Sequence, residues 1–92
     1  MNAWDRELKK VGAAIRGRRE QLGVSQERFA QRANIDRSRY GLIERGGANL
    51  TLATLFQLAK NLRVDASELI KDVHWADPLE GAGDVDPVQE RP

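Results

Sequence analysis

Between Arg37 and Arg45 the chain holds two arginines, a serine, a glycine and a leucine at spacings that a helix would gather on one face. Projected at about 100° per residue, Arg37, Ser38, Gly41, Leu42 and Arg45 fall within an arc of about 140°. Asp36, Arg39, Tyr40 and Ile43 turn the other way. A guanidinium can bond guanine O6 and N7 together, a hydroxyl can donate or accept, and an apolar side chain can meet the thymine methyl. The face therefore carries groups suited to the edges of DNA bases in the major groove. Gly41 costs roughly 1 kcal/mol in a helix interior, and close approach of the helix backbone to a partner is one reason to keep it. A merely solvated arginine face supplies no such reason.

The elements that must position this face are five helices and no strand. The first is expected from Ala3, capped by Asn2, to Leu22, with an apolar stripe at Trp4, Leu8, Val11, Ile15 and Leu22. Gly12 and Gly17 weaken it locally, and Gly23 ends it. Ser25 caps a second helix over 26–33, whose Phe29, Ala30 and Ala33 share one side. Asn34, which tolerates left-handed backbone angles, makes the turn. Asp36 caps the third helix, over 37–45, which sends Tyr40 and Ile43 inward and stops at Gly46 and Gly47. Thr51 caps a fourth over 52–62; Asp65 caps a fifth over 66–71, with Glu68 completing a capping box. Trp4, Leu8, Val11, Ile15, Leu22, Phe29, Ile43, Leu55, Leu58, Leu62 and Leu69 are the expected core.

The net charge of +1 averages two opposed parts. Residues 1–71 carry 14 Lys and Arg against 8 Asp and Glu; residues 72–92 carry Arg91 against Asp72, Asp77, Glu80, Asp84, Asp86 and Glu90. A basic binding domain over 1–71 with an acidic tail over 72–92 follows. The tail's prolines, glycines and scarce apolar residues predict disorder over most of it. There is no cysteine, and the single histidine, His74, has no nucleophile or ligand cluster around it, so the reading is non-enzymatic, with no metal and no cofactor. No apolar run reaches membrane-spanning length, and the start of the chain lacks a signal-type apolar core. A cytoplasmic protein is expected.

The stretch from Leu8 to Ile70 resembles the lambda-repressor-like, Cro-type (xenobiotic-response-element) family of bacterial and phage regulators. Phe29, Ala30, Ala33, Ile35, Tyr40 and Ile43 occupy the pattern's apolar or small positions. VGAAIRGRREQLGVSQ before them, ERG after them and LFQLAKNLRVDASEL behind agree with it. Asn34 stands where the family usually has glycine, and Tyr40 is bulkier than the usual Val or Ile. NIDRSRYGLIERGGANLTLATL is similar, more narrowly, to restriction–modification controller proteins. The resemblance implies an all-α, compact five-helix domain that regulates transcription as a homodimer on a palindromic operator, with helix 37–45 in the major groove of double-stranded DNA. It implies base reading by Arg37, Ser38 and Leu42, to which the helical projection adds Gly41. Gln26, Ser25, Arg45, the Gly46–Asn49 backbone, Arg39 and Arg16 match phosphate or supporting positions. Arg19 and Glu44 match a salt bridge between the first helix and the end of the third. Leu69, Ile70, Val73 and Trp75 are the expected dimer surface. An antitoxin or anti-activator of the same fold, binding a protein through an apolar patch on the third helix, is the alternative.

Overall fold

The computed structural model describes residues 4–74. Its helices are α1 (Asp5–Gln21), α2 (Gln26–Arg32), α3 (Arg37–Arg45), α4 (Leu52–Leu62) and α5 (Ala66–Ile70), with no strand among the described residues. The expected N-cap Asn2, the first-helix start at Ala3 and the tail residues from Trp75 onward lie outside the described residues.

Local chemistry sets most of the boundaries. The side chains of Ser25, Asp36 and Thr51 accept hydrogen bonds from the backbone N–H of Arg28 (3.1 Å), Arg39 (3.1 Å) and Thr54 (3.0 Å), filling orphan donors of three helix starts. Asn34 adopts φ 60° in the α2–α3 turn, as its short polar side chain allows. Gly46, at φ 78°, ends α3. The capping box at α5 does not form: Asp65 makes no side-chain cap bond. Glu68 instead bonds Arg18 of α1 at 3.0 Å, a tertiary partner that the local motif does not anticipate.

The core gathers around Ile15, Phe29, Ala33, Tyr40, Leu58 and Leu69, all essentially buried. Phe29 and Tyr40 join α2 to α3 through tilted rings 5.3 Å apart. The Gln57 amide of α4 donates to the Ala33 carbonyl at 2.9 Å, tying α4 to the turn. Two expected core residues sit elsewhere: Trp4 is 44% and Leu22 40% exposed. The buried residues of α1 run from Glu7 to Arg19, so both ends of the expected apolar stripe lie beyond its buried stretch. Leu8 is half-buried. Gly12 is a seam residue between α1 and α3 rather than a weak point: a Cβ there would lie 2.5 Å from the carbonyl oxygens of Ile43 and Glu44.

Arg63, which closes α4, holds φ 63°, a left-handed conformation in a side-chain-bearing residue. Such a position is strained by about 1–2 kcal/mol. Arg63→Gly is therefore expected to stabilise the fold by about 0.5–1 kcal/mol after its larger unfolded-state entropy is counted. That is a rise of a few degrees in thermal midpoint. A lower midpoint would mean that contacts of the arginine outweigh its backbone.

Candidate nucleic-acid interface

The outward face of α3 is built by what lies beneath it. Tyr40, Ile43 and Glu44 point inward and are buried; Arg37, Ser38, Leu42 and Arg45 are exposed. Gly41 lies between the arginines, and a Cβ there would meet Arg37 Nη1 at 3.2 Å and Arg45 Nη1 at 3.3 Å. The bare glycine thus gives room for two guanidinium groups to lean over one patch, a nearer reason for it than approach of a partner alone. Two like charges tolerate this in water at a cost on the order of 1 kcal/mol. A phosphate or guanine between them removes that cost. Among the described residues no ion pair engages Arg37, Arg39 or Arg45.

The face is oriented by a polar cluster buried under its C-terminal half. Arg19 of α1 grips Glu44 with two bonds, Nε to Oε2 at 2.7 Å and Nη2 to Oε1 at 3.2 Å. Gln26 Nε2 donates to Glu44 Oε1 at 2.7 Å, and the Tyr40 hydroxyl donates to Oε2. Arg19 Nη1 donates in turn to the Val24 carbonyl at 2.7 Å. Burial alone would raise the Glu44 carboxyl, but the bonds from Arg19, Tyr40 and Gln26 outweigh it and hold the group below its usual range. Burial pushes the Tyr40 hydroxyl up, reinforced by Glu44, so it stays protonated and donates. Every buried side-chain polar atom among the described residues has a partner, the condition under which a buried network specifies one arrangement.

The Arg19–Glu44 pair is thus where the family resemblance implies it. Gln26 braces a side chain of the 37–45 helix, as the resemblance implies for it; Tyr40 as a further partner went unforeseen, because it meets the carboxylate only once the fold closes. Gln26 spends one amide hydrogen on this brace. The Ser25 hydroxyl is engaged as a cap acceptor. Arg39 is exposed and borders a hollow with Asn34, Thr54 and Gln57. Arg16 pairs with Glu20 of its own helix at 3.1 Å, with both side chains more than half exposed. Such a pair contributes a few tenths of a kcal/mol and does not tie up the arginine.

The Gly46 backbone, matched by the resemblance to a phosphate position, also has a local structural use. Its N–H donates to the Ile43 carbonyl at 3.0 Å, and the Gly47 N–H to Leu42 at 2.8 Å, so both are used in ending α3. Gly46 is also a contact point for α1, since a Cβ there would lie 2.6 Å from Lys9 Cα. Lys9, absent from the sequence-based candidates, borders a hollow of about 330 Å³ with Asp5, Arg45 and Asn49. Nothing in its local sequence signals this, because packing of α1 on α3 brings it there.

The expected dimer surface also changes. Leu69 is 2% exposed and belongs to the monomer core, so it has no surface to offer. Ile70 is exposed and Val73 half-buried, while Trp75 lies outside the described residues. Ile70 and Val73 line an apolar groove of about 260 Å³ with Trp4, Leu8, Leu52 and Leu55. Phe56, 55% exposed one turn after Leu52, extends that apolar face along α4.

Among the described residues no helix is long and apolar enough to cross a membrane. No cluster of three or more His, Cys, Asp or Glu side chains converges there either.

Residues 15–69 match a protein-family model described as Helix-turn-helix (HTH_3). The control protein C.MunI from Mycoplasma sp is 38% identical over 56 residues, spanning 61% of this chain and 76% of C.MunI. The crystal structure of the restriction-modification controller protein C.AhdI from Aeromonas hydrophila superposes with a TM-score of 0.68 at 36% identity, covering 72% of this chain and 96% of that one. An HTH_3 family transcriptional regulator from Vibrio cholerae gives a TM-score of 0.68 at 25% identity, over 75% of this chain and 39% of the other.

Proposed function

This chain belongs to the helix-turn-helix (HTH_3) family, and from that premise we propose that it binds a palindromic operator as a homodimer, with α3 in the major groove. It is a DNA-binding transcription regulator and not an enzyme. Restriction–modification control, the role of C.AhdI, is the regulatory setting we assign to it, in a bacterial or phage-derived cytoplasm. The carrying observation is the outward face of α3, with two converging guanidiniums around Gly41, held by the buried Arg19–Glu44 cluster.

Arg37 and Ser38, in the first turn of α3, read base edges with Leu42, and Arg45 contacts phosphate beside Lys9 and Asn49. Ser25, Gln26, Arg39 and Arg16 supply further phosphate or supporting contacts around it. Dimerisation is assigned to the face formed by Trp4, Leu52, Phe56, Ile70 and Val73. Its apolar character suits burial against a second copy, and two-fold binding doubles the few base contacts of one short helix. Capture of a partner protein would require an apolar patch on α3, where Leu42 is the one large exposed hydrophobic among the described residues.

Selection from a random duplex pool tests this directly. An enriched palindrome with half-site centres a whole number of helical turns apart is expected; a pool without enrichment, or an asymmetric motif, overturns the dimeric reading. Arg37→Ala should cost about 1–3 kcal/mol on the selected operator and relax preference at one position in each half-site. Equal weakening on all sequences would make Arg37 a phosphate contact.

A further inference from the structure

The chain leaving α5 is held against α1. The His74 backbone N–H donates to Glu7 Oε1 at 3.0 Å. Lys10 Nζ links the same oxygen, at 3.2 Å, to the Asp72 carbonyl, at 3.3 Å. Glu7 is buried, so this is a built anchor rather than a passing surface contact. Lys9 lies on the opposite side of the same turn of α1, against Gly46 and beside Arg45. About one helix diameter, roughly 10 Å, therefore separates the root of residues 75–92 from the end of the recognition helix. Arg37 lies about 12 Å further along it.

Eighteen residues follow His74, and such a length reaches up to about 60 Å. They carry Asp77, Glu80, Asp84, Asp86 and Glu90 against Arg91 alone. Lys10 beside their root is already paired with Glu7, and Arg18 and Lys71 with Glu68; Arg6 and Lys9 are exposed and in no ion pair among the described residues, and Lys9 leads from the root to Arg45. Arg37, Arg39 and Arg45 are exposed and unpaired among the described residues.

Resting on the DNA-binding reading of this face, we propose that residues 75–92 dock on the Arg37–Arg45 face and compete there with DNA phosphate as a tethered anion. Tethering gives these carboxylates an effective concentration in the millimolar range. The contact is electrostatic and fades as the screening length falls below about 8 Å. It lowers affinity for operator and random duplex by one common factor, because both require the face to be vacated. Weak random sites then fall below occupancy while the operator stays bound.

The test uses the full chain with Asp77→Asn, Glu80→Gln, Asp84→Asn, Asp86→Asn and Glu90→Gln together, leaving Trp75 and chain length untouched. Without DNA, the backbone amides of Arg37 to Arg45 should differ between the two proteins at about 50 mM salt and converge by about 0.3 M. With random duplex, the neutralised chain should bind about tenfold tighter at low salt, show the steeper salt dependence, and match the parent at high salt. Unmoved α3 amides, or equal affinities at both salts, overturn the proposal and leave the DNA reading standing. Shifted amides with no duplex binding by either protein support the docking and sink the DNA reading instead. A change of oligomeric state on sedimentation would assign the affinity change to the dimer and overturn the competition.

Discussion

Glu44→Ala is expected to lose about 3–5 kcal/mol of folding stability, because it leaves the Arg19 guanidinium buried without its counter-charge. A domain of this size has about 5–15 kcal/mol in all, so the variant should lose a large share of its stability and melt well below the parent. Thermal unfolding followed by circular dichroism measures the loss, and operator binding should fall with it. Three donors lose their acceptor at once: Arg19, Gln26 and Tyr40. Glu44→Gln keeps the shape and isolates the charge. A carboxyl held below the usual 4.5 in the folded chain stabilises the fold above that pH. Its contribution is withdrawn as pH falls through the folded-state value. The parent should therefore lose stability more steeply than Glu44→Gln as pH drops below 4.5. Parallel acid limbs would show that the ion pair contributes nothing to pH dependence.

Gly12→Ala is expected to cost about 1–3 kcal/mol or more, against the usual gain from glycine to alanine within a helix. The added methyl would lie 2.5 Å from the Ile43 and Glu44 carbonyl oxygens. These are backbone atoms and cannot rotate aside, so α1 must separate from α3, and the Arg19–Glu44 bonds lengthen with it. Gly17, five residues on in the same helix, has nothing within 4 Å of its would-be Cβ. Gly17→Ala should stabilise by about 0.5–1 kcal/mol. The same chemical change in one helix thus carries opposite signs, and two melting curves decide it. A Gly12→Ala chain that melts at or above the parent temperature removes the close seam.

Sequence alone determined the helices wherever a boundary is a short-range matter. Asp36 and Gly46 delimit α3, Ser25 starts α2 and Thr51 starts α4, because a cap bonds within three residues of itself. The outward grouping of Arg37, Ser38, Leu42 and Arg45 also follows from helix period alone. Tertiary structure decided what depends on neighbours distant in sequence. Glu68 leaves its capping role for Arg18, fifty residues away, and the stripe of α1 ends exposed at Trp4 and Leu22, beyond the buried stretch from Glu7 to Arg19. Leu69 goes to the core while Ile70 stays outside, a choice that a five-residue helix does not encode in its own period. The Arg19–Glu44 pair was legible through family resemblance and not through spacing. Its reinforcement by Gln26 and Tyr40, the close approach of α1 to α3 at Gly12 and Gly46, and the placing of Lys9 beside Arg45 arise from the packing of helices distant in sequence. A linear pattern states which face of each helix is apolar, but not how deep two helices approach or which buried charge ends opposite which.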